Sequence, residues 1–339
     1  MTSTTTPPAA VGGTEKKAAT PSGRSGLLGE NGVQFILLVV FLVAVWIFFA
    51  SFDPRFATGN NVLTIISVSS VIGLVSLGQA LTVISGGFDL SVSGVVPLGG
   101  ILFAILTNAG WAVFPAIVAV VVVGALAGLV NGVIITRFKI NPMIATLGML
   151  SVTGGIALTL SNGLQIPFTN VDAGVLADRS LFNINNHVWL LVLLSIVLFL
   201  VLRYTSYGRR IYAVGGNREA ARLAGVRVDV ITASVYVICA AFAALAGVVL
   251  ASQLLTGSGT AGINSNLQSI TAVILGGAAL TGGVGGVPGT LIGVLILGTL
   301  SNGMAILHVP SFYQTIATGV VLLLAVGLSQ LRVLRRRKS

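Results

Sequence analysis

The chain has 339 residues, 55% of them hydrophobic and 8% charged, with a formal net charge of +10 and a mean hydropathy of +1.02. Soluble domains carry about 25% charged residues, so a water-facing surface is excluded and a bilayer is left as the solvent. The lone cysteine, Cys239, excludes a disulfide framework and a cysteine-based metal cluster.

Residues 1–32 are rich in Thr, Ala, Pro, Ser and Gly, and no apolar run begins before Val33. That is too late for a secretory signal peptide and predicts a disordered cytoplasmic tail. Ten apolar runs follow, at 33–50, 62–84, 95–108, 112–136, 142–162, 188–203, 231–252, 267–283, 286–306 and 311–331. They are continuous rather than alternating, and in lipid only helices or closed barrels satisfy the backbone, so helices are expected. The fold class is an all-α integral membrane protein of about ten transmembrane helices, with a domain over 33–331 and a basic cytoplasmic tail at 332–339. The third run is short and adjoins a Gly-rich stretch bearing Asp89, and 276–289 is similarly dense in glycine. Broken or re-entrant helices are expected near 85–95 and 276–289, as backbone of that kind is tolerated where it lines a cavity. Leu77 to Gly100 and Leu275 to Gly293 share a small-residue span, a Gly-Gly break and a second Gly-spaced span, consistent with a 5+5 internal repeat.

With both termini placed in the cytoplasm, Arg55 and Arg179 are the only two of the 18 basic residues that fall outside. This is the bias of the positive-inside rule. The positive charge is therefore a topology signal, which argues against a nucleic-acid partner.

No Gly-x-x-x-x-Gly-Lys-Ser/Thr pattern occurs, so no nucleotide site is expected in this chain. Gly257 to Gly262 matches the dinucleotide fingerprint, but it follows a membrane helix instead of a strand. No catalytic constellation appears, so neither an enzyme nor a metal site is expected; His187 and His308 near span ends are expected to be satisfied or solvated. Asp89 is the one acidic residue in or near a span, and it either caps a helix start, pairs with an arginine, or serves a gate. The triplets Gly124, Gly128, Gly132 and Gly285, Gly289, Gly293 suit close helix packing. Gln79, Thr82, Asn131, Thr146, Thr153, Gln268, Thr271 and Asn302 are neutral hydrogen-bonding groups within spans. They suit either an uncharged, hydroxyl-rich solute or bonding between helices.

The longest connection, 204–230, holds a short helix that Asn217 caps and Gly225 ends, with Glu219 in the first turn. It is either a rigid knob for a cytoplasmic partner or a basic loop held near anionic lipid. Proline at Glu219 is expected to break it.

Four blocks in order carry a resemblance: Gly86 to Gly100, Gly128 to Leu158, Gly208 to Val226 and Ala272 to Met304. From about residue 33 to 331 the chain resembles the membrane-spanning permease subunits of ribose-type (monosaccharide) ABC importers. The resemblance implies a multi-pass protein of a bacterial cell membrane, paired with a second permease chain as a homodimer or heterodimer. It also implies a cytoplasmic ATP-binding subunit, which carries the Mg-ATP, and an extracytoplasmic solute-binding protein. It makes Asn217, Arg218, Glu219, Ala220, Ala221, Arg222 and Gly225 the ATPase-coupling helix. Asp89, Ser91, Asn141, Pro142, Thr146 and Gln268 become candidates for the gate or pathway. Family members often carry acidic residues where this chain has Asn266 and Gln268. The rival expectations are an ABC permease for another solute, such as a branched-chain amino acid, and an ion-coupled secondary transporter.

Overall fold

The computed structural model describes residues 30–338. Its first helices are α1 (Glu30–Phe52), α2 (Gly59–Ile84), α3 (Val92–Asn108), α4 (Val113–Arg137), α5 (Pro142–Ser161) and α6 (Asn186–Tyr204). They are followed by α7 (Ser206–Gly216), α8 (Arg218–Leu223), α9 (Val228–Leu254), α10 (Ser265–Leu275), α11 (Val287–Ile306) and α12 (Ser311–Lys338). Capping chemistry sets several boundaries. Thr58 accepts from the Asn61 N–H to start α2, and Asn141 accepts from the Met143 N–H to start α5. Pro142 sits in the first turn of α5, where its missing N–H leaves nothing unsatisfied.

Each of the ten apolar runs is helical in the expected order. Among the described residues, seven helices are long and apolar enough to cross a bilayer, whereas α3, α10 and the 311–327 part of α12 are apolar but shorter. The break expected near 276–289 is present and cuts the eighth run short: α10 stops at Leu275, and 276–286 is turn. Gly277, Gly282, Gly283 and Gly285 all have positive φ there, which a helix cannot accommodate. At the other margins, the expected tail 1–32 lies outside the described residues apart from the start of α1. The basic stretch 332–338 is helical and continuous with α12. Gly215 and Gly216, expected in a loop, close the amphipathic helix α7, which Thr205 caps through the Gly208 N–H.

The core is built around α9, which packs on α2, α3 and α4. Its seam with α4 is made by Gly124, Gly128 and Gly132; an added methyl at Gly132 would stand 2.8 Å from the Ala233 Cα. The close-packing role expected for that triplet is thus realised against a single partner. Two halves repeat one another's pairings. The pairs α3·α9, α4·α9, α3·α5, α3·α4 and α4·α5 recur as α10·α2, α11·α2, α10·α12, α10·α11 and α11·α12. The repeat therefore matches α2 with α9 and α3 with α10, one helix out of step with the likeness between 77–100 and 275–293. Both short helices, α3 and α10, occupy equivalent positions in the two halves.

The end of the bundle holding α7 and α8 also receives the start of α9 and the ends of α2, α4 and α6. At the opposite end, β1 (Ile166–Pro167) pairs antiparallel with β2 (Thr256–Gly257). The Asn108 side chain bonds Pro167 and Thr169 there. His187 is buried with both ring nitrogens engaged. Nδ1 lies 2.8 Å from the Leu176 carbonyl, and Nε2 lies 3.0 Å from both Ser67 Oγ and Gln253 Nε2. His308 is exposed.

Candidate functional site

The break between α2 and α3 is buried. Asp89 accepts from the Ser91 N–H at 2.9 Å and the Ser91 hydroxyl at 2.5 Å, an Asx-turn that shapes the entry to α3. The Asn131 amide of α4 donates to Ser91 Oγ at 3.0 Å. Oriented to satisfy both neighbours, the Gln79 amide donates to the Asp89 carbonyl at 3.1 Å and accepts from its N–H at 3.2 Å. The Tyr236 hydroxyl of α9 donates to the Phe88 carbonyl at 3.4 Å. Four helices thus meet at one unwound segment. Among the described residues Asp89 makes no ion pair, and it closes the turn before α3 without capping the helix itself, whose N-cap is Ser91. Asp89 Oδ2 and Asn131 Oδ1 are buried without a hydrogen-bond partner. The segment therefore holds two acceptors with unused capacity in a place where an orphaned polar group is costly.

Of the other polar span residues, Asn302 likewise buries an Oδ1 without a partner, whereas the threonines behave differently. Thr146, Thr153 and Thr271 return their hydroxyls to carbonyls four residues earlier, and Thr82 to one three residues earlier. That uses their donors and leaves their acceptor lone pairs available. Asn141 caps α5, Pro142 opens it and Thr146 lies one turn in, and among the described residues no hydrogen bond joins them to the Asp89 cluster. Gln268 is half-buried on α10. Its neighbour Asn266 connects the two short helices: the Asn266 N–H donates to Ser93 Oγ, in the first turn of α3, at 2.8 Å.

The second part of the site is the knob. Asn217 Oδ1 accepts from the Ala220 N–H at 3.0 Å. The far end closes with the Val226 N–H on the Ala221 carbonyl and the Gly225 N–H on the Arg222 carbonyl, both at 3.0 Å, with Gly225 at φ 81°. This is a Schellman motif, which only a residue tolerant of positive φ can complete. A six-residue helix is thereby fixed at both ends. Arg218, Glu219, Ala220 and Arg222 are exposed, whereas Ala221 faces inward and is buried. Arg222 lies 3.6 Å from Glu219 and 3.9 Å from Asp229, exposed pairs worth about 0–1 kcal/mol each. Leu223, absent from the sequence-derived candidates, is 83% exposed at the tip. Its signal was an apolar residue on the outer side of a capped helix.

The knob and the break are joined through glycine. Gly215, in the last turn of α7, lies against the Ile84 carbonyl and the Gly283 N–H with no space for a side chain. The Gly283 N–H donates to that same Ile84 carbonyl at 2.8 Å. An added methyl at Gly282 would lie 2.8 Å from both the Gly215 carbonyl oxygen and the Gly86 Cα. The connections after α2 and after α10, one from each half of the repeat, thus touch the end of α7 backbone to backbone.

Residues 61–326 match the family described as branched-chain amino acid transport system / permease component. Among curated proteins, the chain is 36% identical over 312 residues to the ribose import permease protein RbsC of Escherichia coli, covering 89% of this chain and 94% of that one. It is 36% identical over 328 residues to the ribose import permease protein of Bacillus subtilis, covering 96% and 98%. It is 35% identical over 311 residues to the L-arabinose ABC transporter permease protein of Azospirillum brasilense, covering 92% and 90%. No solved structure matches the chain.

Proposed function

This chain belongs to the family of branched-chain amino acid transport system permease components, and on that premise we propose that it is the membrane-spanning subunit of an ATP-driven importer for a monosaccharide or related sugar. The observation that carries the solute class is its similarity, over about nine-tenths of its length, to permeases named for ribose and L-arabinose. The family description names branched-chain amino acids, but these relatives are sugar permeases, and the site's buried neutral donors and acceptors suit hydroxyl groups.

The knob end faces the cytoplasm, with both termini, and docks a separate ATP-binding subunit that holds the Mg-ATP. A solute-binding protein delivers sugar at the opposite end, and a second permease chain completes the pore. Closure of the ATPase pushes α8; α7 carries that displacement to Gly215, and the glycine contact passes it to both helix breaks together. Coupling requires the ATPase to bind one pore conformation better than the other. The capped rigidity of α8 supports this reading, because a frayed segment would absorb the push. Asp89, Ser91 and Gln268 act at the gate or pathway, and Asn141, Pro142 and Thr146 set the start of α5 beside it.

Affinity purification from membranes tests the assignment. A stoichiometric ATPase should co-elute, and uptake in reconstituted vesicles should require ATP and the binding protein. Uptake that persists without nucleotide and dies with an uncoupler would instead identify an ion-coupled transporter. The sugar that raises the melting temperature of the cognate binding protein identifies the solute; a shift by leucine instead would overturn the sugar reading.

A further inference from the structure

At the knob end, a cleft of about 370 Å³ opens between the last turn of α6, α7 and the start of α11. Its lining has two characters. Arg203 and Arg209 supply two guanidinium groups, while Phe199, Leu202, Val287 and Pro288 supply an apolar wall. Neither arginine forms an ion pair among the described residues. Arg209 donates one long hydrogen bond, 3.5 Å, to the Tyr204 carbonyl. The Tyr212 hydroxyl donates to the Gly285 carbonyl at 2.9 Å, pinning α7 to the segment before α11 and keeping the cleft open. The start of α11 also has no side-chain cap, so the N–H groups of its first turn add to the positive character of the wall.

The apolar wall does not end at the cleft. Phe199 stands one turn before Arg203 on α6, and Ile196 and Val192 continue the same helical stripe. These three side chains are 38%, 52% and 41% exposed. The stripe runs along a helix long and apolar enough to cross the bilayer, away from the arginines and into hydrocarbon depth. Two cations at the end of a lipid-depth apolar lane match the two halves of a phospholipid. A carboxylate on a protein partner would satisfy the arginines and leave the lane unused.

We infer that this cleft holds one anionic phospholipid, its phosphate between Arg203 and Arg209 and an acyl chain along Phe199, Ile196 and Val192. The planar guanidinium fork suits phosphate oxygens, and basic pockets between membrane helices bind anionic headgroups. The bound lipid bridges α6 and α7 to the start of α11, beside the helix that carries the knob.

The test is native mass spectrometry of the full-length protein, delipidated and offered phosphatidylglycerol or phosphatidylcholine of identical acyl chains. The wild type should retain phosphatidylglycerol in preference by roughly tenfold, and millimolar inorganic phosphate should not displace it. The double variant Arg203→Gln, Arg209→Gln should lower retention to the phosphatidylcholine level, while Arg210→Gln, outside the lining, should leave it unchanged. The pair Arg203→Lys, Arg209→Lys keeps the charge needed for insertion and should keep a reduced but measurable preference. Should the glutamine variant fail to fold, the wild type alone still decides, through a melting temperature raised by phosphatidylglycerol and not by phosphatidylcholine. Equal retention of the two lipids overturns the inference. So does displacement by free phosphate, which marks a soluble-anion site. So does a glutamine variant that keeps its lipid but loses a co-purifying protein.

Discussion

Gly215 shows what a single residue controls. A methyl group there would collide with the Ile84 carbonyl and lie 2.6 Å from the Gly283 N–H. Both are main-chain atoms, which cannot rotate away as a side chain would. Gly215→Ala is therefore expected to insert normally but to lose most ATP-dependent uptake, whereas Gly216→Ala, with open space around it, should transport at close to the wild-type rate. Paired uptake and membrane-yield measurements separate the two. Asn217 is a second such point. Replacing it by alanine removes the acceptor for the Ala220 N–H and should cost about 1 kcal/mol of local helix stability. Faster hydrogen exchange at Ala220, confined to α8, is the expected readout. These roles differ in legibility. The cap at Asn217 and the αL glycine at Gly225 are written in local sequence, because a cap is a contact within four residues. Nothing local marks Gly215, whose constraint comes from chain 130 or so positions away along the sequence, at Ile84.

At the scale of elements, α8 corrects the choice of helix breaker. Glu219 lies in the first turn, where proline is tolerated because those N–H groups lack helical partners. Ala221 is the better target: its N–H donates to the Asn217 carbonyl at 2.9 Å, and its side chain is buried. Ala221→Pro should abolish both ATPase co-purification and uptake, while Glu219→Pro should retain a substantial fraction of each. Arg222→Glu gathers a third carboxylate beside Glu219 and Asp229 and should weaken co-purification without unfolding the bundle; unchanged recovery of the ATPase would count against the contact. Element identity was readable wherever twenty or so apolar residues ran without interruption. The break after α10 was readable from the density of glycine, but the residue at which the helix stops was not, since Ile274 and Leu275 run into that stretch with no polar break. Hydropathy averages over residues and does not register positive φ.

The whole molecule presents two ends. One carries α7, α8 and a run of arginines, and the other carries the β1–β2 pair and the connection between α5 and α6. Cys239 is buried and free, so a reporter cysteine can be added without removing the native one. Leu223→Cys should react with an impermeant maleimide only after the membrane is opened. A cysteine in place of Val171, 91% exposed near the opposite end, should react in intact cells. The reverse pattern would invert the proposed orientation. The basic residues already implied that sidedness, because charge bias is a property summed over the chain. The candidate site was less visible. Asp89 stood out as an acidic residue in an apolar field and the resemblance added Ser91; both converge with Gln79 and Asn131. Thr146 stood out as a polar residue in a span, whereas Asn141 and Pro142 came from the resemblance alone, and the three lie together at the start of α5, since polarity in a span marks a partner to be found without saying which.

The meeting of Gly86, Gly215, Gly282 and Gly283 has an implication for redesign. A joint made only of main chain has no interchangeable part: every available substitution adds atoms, and none can be traded for a better fit. Attempts to retune this importer for another solute should therefore leave residues 84–87, 215 and 281–283 untouched. The adjustable positions are those where side chains mediate the contact, such as Gln79, Asn131 and Gln268.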